Sequence, residues 1–395
     1  MQPFIPYGRQ NITDDDIARV VDVLRSPFLT QGPVVSTFEQ VVAAKVGALH
    51  GVAVNSATSA LHIACLALGL EPGDRLWTSP ITFVASANCA RYCGATVDFV
   101  DIELATGLMN VAALAAKLEK AERDGTLPKI VVPVHLAGSS CSMTAIAELS
   151  ERYGFSVLED ASHAIGGRYG GEPVGNCLHS SITVFSFHPV KIITCGEGGL
   201  ATTNNLLLAQ RMSYLRNHGI VREAERFERP ALGSWVYEQQ YLGFNYRITD
   251  IQAALGLSQF QRLDKIVEER NRQLHFYREL LAGLPVHLLE VPEGVLSSVH
   301  LAVIRLLQAT DEQHRNVFEG LRSAGIGVQL HYSPVHLQPY YRRLGFTVGD
   351  FPEAETYAVS AISLPLFPGL RTDDQVRVAV VLTQQLQTVA QELVA

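Results

Sequence analysis

Between residues 50 and 215 the chain alternates short apolar, β-branched runs with longer segments whose apolar residues recur at helical spacing. The runs Gly51–Asn55, Arg75–Thr78, Ala95–Val100 and Lys129–Val134 each precede a predicted helix, over Ala57–Leu70, Val84–Tyr92, Val111–Arg123 and Met143–Tyr153 respectively. Phe155–Glu159, Ser181–Phe187 and Leu200–Thr203 read as further strands. Strands alternating with helices predict an α/β fold built on a mainly parallel sheet covered on both faces. In such sheets ligands collect at the carboxyl ends of the strands. The pattern then changes. Ile248–Val267 reads as helical and continues through the amphipathic Glu268–Leu281, followed by a strand over His300–Leu307 and helices over Asp311–Ala324 and Asp373–Leu393. This predicts a large domain over 1–264 and a small α/β domain over 265–395, with a long helix at the junction.

Composition narrows the classes of function. With 395 residues, 47% hydrophobic and 18% charged, the chain is globular and large enough for a substantial core. Its net charge of −8 argues against a general nucleic-acid binder. No apolar stretch approaches the roughly 20 residues needed to cross a bilayer. The start, MQPFIPYGRQNITDDD, lacks the pattern of a secretory signal, and the 6 cysteines form no CxxC pair. A cytoplasmic protein with reduced thiols and no metal site is the expectation.

The common chemical motifs are missing. There is no GxxxxGK[ST], HExxH or GxSxG, and Gly166, Gly167, Gly170 and Gly171 lack GxGxxG spacing, reading as a flexible loop. Four other features stand at predicted strand ends. Asp160 closes the run FSVLE, where a buried carboxylate needs a partner, although it also suits a cap for the next segment. Lys191 follows SITVFSF and precedes CGEGG; an apolar setting makes such an amine nucleophilic, whereas a solvated surface lysine is its ordinary fate. The turn Asn55–Ser59 opens a helix with small and hydroxyl residues, fitting either an anion site or a plain N-cap. Ser186 ends the strand before Lys191. Together an amine, a carboxylate, an anion cradle and a hydroxyl suit a phosphorylated aldehyde cofactor, pyridoxal 5'-phosphate. Phe83 offers a ring to stack on it, or is simply a core aromatic.

The sequence closely resembles the DegT/DnrJ/EryC1 sugar aminotransferases. The likeness runs through LTQGP (Leu29–Pro33), NSATSALH (Asn55–His62), SPITFVASAN (Ser79–Asn88), EDASHAIG (Glu159–Gly166), FSFHPVKIITCGEGG (Phe185–Gly199), RNHGI (Arg216–Ile220), GFNYRITDIQAALGLSQ (Gly243–Gln259) and His331–Tyr341. It implies a fold-type-I transferase with a mainly parallel seven-stranded sheet in the large domain. By position, it implies Lys191 as the Schiff-base lysine and proton carrier, Asp160 as partner of the ring nitrogen and His163 beside the phenolic oxygen. Ala57, Thr58 and Ser186 fall on the phosphate cradle and Phe83 on the stacking aromatic. Asn245 falls on a residue lent to the neighbouring subunit's phosphate site, implying a homodimer. Tyr7, Leu29, Thr30, His331, Tyr332 and His336 would contact a sugar nucleotide. Within the family the chain looks most like the branch making UDP-4-amino-4,6-dideoxy-N-acetyl-β-L-altrosamine, a pseudaminic acid precursor, with L-glutamate as donor. Cys195 departs from the pattern, where threonine or a small residue is expected, and would make the site sensitive to oxidation. A sugar dehydratase of the same fold is an alternative, although such relatives generally replace the lysine with histidine. A non-catalytic, cofactor-binding regulator is another.

Overall fold

A computed structural model describes residues 3–392; Leu393, the last residue of the predicted final helix, lies outside them. Seven strands form the main sheet: β1 (His50–Val54), β2 (Arg75–Thr78), β3 (Thr96–Phe99), β4 (Ile130–Val132), β5 (Ser156–Asp160), β6 (Ile182–Ser186) and β7 (Gly199–Thr203). Their spatial order is β1-β7-β6-β5-β4-β2-β3. Only β7 runs against its neighbours, pairing antiparallel with both β1 and β6. Every residue of β6 and β7 is buried, as expected where helices cover both faces. This is the mixed α/β, largely parallel architecture of the fold-type-I class.

A smaller antiparallel sheet follows, of β8 (Val286–Leu288), β9 (Ala302–Leu306) and β10 (Ala361–Leu364), with β9 in the middle. Its core draws in Ile5 from the other end of the chain. Ile5 also exchanges main-chain hydrogen bonds with Gly325 and Gly327. The first residues, around Ile5, therefore pack with the second sheet, whereas Asn11 and Asp16 bond to Gln259 and Arg262 of the large unit.

Two local expectations need correction. The predicted continuous helix from 248 to 281 is two helices, Asp250–Phe260 and Leu263–Leu280. The break falls where Gln259 and Arg262 are both drawn to Asp16 and Asn11, while Leu263 and Val267 turn to pack over Gly166. The glycines near 170 form a defined hairpin, Arg168–Tyr169 paired with Glu172–Pro173, and not a loose loop. Gly170 and Gly171 sit at φ +58 and +86, which a two-residue turn of this hand requires.

Candidate active site

The carboxyl ends of β5 and β6, the helix following β1 and the segment after Gln329 enclose a cavity of about 700 Å³. Tyr7, Ala57, Thr58, Phe83, Asp160, His163, Ser186, Lys191, His331 and Tyr332 line it. Residues scattered from 7 to 332 are thus brought together by the sheet edge.

One end of the cavity is the start of the helix Ala57–Ala67. Ser56 caps it, its hydroxyl accepting from Ser59 N–H at 3.1 Å. Ala57 and Thr58, in the first turn, have N–H groups with no intrahelical acceptor. The helix start is pressed against β7: a Cβ added at Gly199 would lie 2.5 Å from Ala57 N. With Ser186 close by, this end offers donors suited to an anion.

Asp160 closes β5 with its carboxylate buried and doubly held. Ser86 Oγ donates to Oδ2 at 2.6 Å and Ser162 N–H to Oδ1 at 3.1 Å. Ser86 escapes sequence reasoning because only packing brings it beside a residue 74 positions away. Lys191 is partly buried. Burial pushes its ammonium down to about 8, against the opposing pull of Asp160. Near neutral pH a useful fraction is therefore free amine. Burial and the Lys191 charge hold His163 well below the usual histidine range and His331 at about 4, so both imidazoles are neutral. Phe83 is 57% exposed although it lies on the cavity wall, with the Tyr332 ring tilted towards it at a centroid distance of 6.3 Å. His300, also lining the cavity, keeps a buried Nδ1 with no hydrogen-bond partner among the described residues.

Four of the expected residues do not reach the cavity. His336 is fully buried, bonded to Glu355 at 3.0 Å and packed on Phe351, so it is a core histidine and not a sugar contact. Leu29 and Thr30 are exposed outside the cavity, with Thr30 bridging to Thr249. Asn245 is exposed and pairs through its backbone with Asn217. Cys195 is 2% exposed and packed under Gly256. Burial pushes its thiol well up, so it is not an oxidation-prone group at the site's surface.

A free amine, a fixed carboxylate, donors suited to an anion and an exposed aromatic ring fit pyridoxal phosphate in size and chemistry. The sequence profile of the DegT/DnrJ/EryC1/StrS aminotransferase family matches residues 10–383. The chain belongs to this family. It is 38% identical over 380 residues to the spore coat polysaccharide biosynthesis protein SpsC of Bacillus subtilis, covering 94% of each chain. Spr1654 of Streptococcus pneumoniae, solved in pyridoxal-phosphate and pyridoxamine-phosphate forms, shares 29% identity. Its pyridoxamine form superposes with a TM-score of 0.89 over 98% of this chain and 100% of that one. Helicobacter pylori PseC, an aminotransferase involved in pseudaminic acid biosynthesis, has the same TM-score and identity over 98% and 100% of the two chains. The DegT-family member described here is a pyridoxal-phosphate-dependent sugar aminotransferase. Among its described residues no helix is long and apolar enough to cross a membrane.

Proposed function

We propose that the enzyme moves an amino group from L-glutamate to C4 of a nucleotide-linked 4-keto-6-deoxy sugar. The substrate we favour is UDP-2-acetamido-2,6-dideoxy-β-L-arabino-hex-4-ulose, on the route to pseudaminic acid and cell-surface polysaccharide. The likeness to PseC along nearly the whole chain carries this reading. The working enzyme in this proposal is a cytoplasmic homodimer with shared sites, each chain divided into domains 1–264 and 265–395.

Pyridoxal phosphate, when bound, supplies a carbon that accepts nitrogen and a ring that withdraws electrons from the neighbouring carbon. In the proposed arrangement Ala57 and Thr58 N–H groups and the Ser186 hydroxyl hold its phosphate, Asp160 its ring nitrogen, and Phe83 one face. His163 would stand beside its phenolic oxygen, and Asn245 of a second copy would complete the phosphate site. Lys191 would anchor the cofactor and then carry the proton to and from the reacting carbon, a task suited to an amine titrating near 8. Tyr7, His331 and Tyr332 face the space left for the sugar.

The deciding experiment incubates the enzyme with glutamate and UDP-, GDP- and dTDP-linked 4-ketosugars, and locates new C–N bonds by mass spectrometry and NMR. An amine at C4 of the UDP sugar is expected. Amination of only a GDP or dTDP sugar would overturn the pathway and leave amino transfer standing. A polysaccharide route other than that of pseudaminic acid draws support from SpsC, named for spore coat polysaccharide biosynthesis, whose identity of 38% exceeds the 29% of PseC. Elimination of a hydroxyl is disfavoured by Lys191, which relatives catalysing it generally lack.

A further inference from the structure

His163 and Tyr332 are joined across the cavity by a single hydrogen bond, Nε2 to Oη at 3.1 Å. Its polarity is set from behind. The main-chain N–H of Ala137 points at the other ring nitrogen, Nδ1, at 3.3 Å. A main-chain N–H can only donate, so Nδ1 is an acceptor, and in a neutral imidazole Nε2 must then carry the proton. Nε2 therefore donates to Tyr332, whose oxygen accepts. The hydroxyl's own hydrogen is left over, with no protein acceptor among the described residues, on a side chain that lines the cavity.

We propose that Tyr332 is a catalytic hydrogen-bond donor to the carbonyl oxygen at the carbon that exchanges nitrogen, held in that polarity by the chain Ala137 N–H to His163 to Tyr332. Addition of the amine nitrogen to the ketone carbon forms the C–N bond, breaks the C=O π bond and builds negative charge on the oxygen, which takes up the protons the nitrogen loses and leaves as water. A fixed donor stabilises that charge without reorganising. Tyr332 stays protonated throughout, since burial raises its hydroxyl above the ordinary tyrosine range. It acts as a donor and not as an acid. The stacked pair His163 and Tyr332, with ring planes 27° apart, keeps the hydroxyl in place. His300 packs its ring against that of His163 from the other side, with centroids 4.4 Å apart. This deepens the proposed function by giving Tyr332 a role in the chemical step beyond contact with the sugar. It rests on amino transfer but not on which sugar is used.

The test uses the pyridoxamine form of the holoenzyme, mixed in single turnovers with 2-oxoglutarate or with the UDP-4-ketosugar, while the return of the pyridoxal absorbance is followed. Tyr332→Phe is expected to slow both acceptors by on the order of 100-fold, with half-saturation nearly unchanged and the pH midpoint of the cofactor absorbance unmoved. A variant as fast as wild type, or one affected only in half-saturation for the sugar, overturns the proposal. A displaced absorbance midpoint also overturns it, because the donor would then serve the cofactor's own oxygen. Independently of activity, ¹⁵N NMR of the cofactor-free protein is expected to find His163 neutral and protonated on Nε2 between pH 6 and pH 9. Protonation on Nδ1 removes the relay. A wild-type enzyme that accepts 2-oxoglutarate but refuses the UDP sugar defeats the pathway assignment alone, and the 2-oxoglutarate arm still decides the role of Tyr332.

Discussion

At the scale of single residues, the site depends on groups whose environments are set by a few contacts. Lys191 has its ammonium pushed from the ordinary lysine value to about 8 by burial. In the cofactor-free protein this disfavours folding wherever the unfolded chain keeps its proton. The unfolded lysine holds that proton up to about 10.4, while the folded one releases it near 8, so stability rises with pH across that window. Lys191→Met removes the dependence. Relative to that variant, the wild-type apoprotein is expected to gain on the order of 2 kcal/mol between pH 7.5 and pH 10, measured by urea denaturation. Equal slopes for the two proteins would count against a desolvated lysine. Ser86 is the second such residue, since its hydroxyl donates to Asp160 at 2.6 Å. Bonds to a charged group contribute about 1.5–3 kcal/mol, so Ser86→Ala should lower kcat by roughly 10- to 100-fold at saturating cofactor. Asp160→Ala is expected to be more severe. If Ser86→Ala matches wild type in steady-state assays, Asp160 needs no such clamp.

At the scale of elements, the proposed anion cradle is an agreement between one helix and one strand. The helix Ala57–Ala67 lies with its first turn almost touching the start of β7, where Gly199 leaves no room for a side chain. Gly199→Ala should push the helix start away, destabilising the protein by about 1–3 kcal/mol. It should also weaken cofactor binding by roughly tenfold, through loss of the aligned N–H groups. Thermal unfolding and cofactor titration read these two effects separately. Lower stability with unchanged cofactor binding would mean that the strand yields instead of the helix. The sharp turn between Phe260 and Leu263 belongs to this scale too. Periodicity runs straight through it, because both halves are amphipathic, and the break arises from the clasp of Asn11 and Asp16 on Gln259 and Arg262.

At the scale of the whole molecule, Leu29, Thr30 and Asn245 stand outside their own cavity and exposed. In the proposed homodimer, Asn245 serves the other copy's site. Subunits carrying Lys191→Ala and subunits carrying Asn245→Asp should each be inactive alone, and mixing with subunit exchange should restore activity by creating one intact site in each mixed dimer. Absence of rescue, in mixtures shown by mass spectrometry to contain mixed dimers, would place Asn245 in its own subunit's site or in none.

The alternation of strands and helices was legible in the sequence because a sheet covered on both faces demands near-continuous apolar strands. The residues at their carboxyl ends, Asp160, Ser186 and Lys191, were legible for the same reason: the strand that ends there dictates where they stand. What escaped was everything set by contact between distant segments. His336 has the composition of a ligand, yet packing against Phe351 and Glu355 makes it core. Ser86 looks like any helix-start serine until β5 brings Asp160 to it. The N-terminal Ile5 joins the second sheet, and the tautomer of His163 depends on the N–H of Ala137. Sequence by itself determined the order of elements and the chemistry at the strand ends, since both follow from local periodicity and residue type. Tertiary structure alone decided which side chains meet, which way their hydrogen bonds run and which histidines are free to act, because those depend on through-space packing.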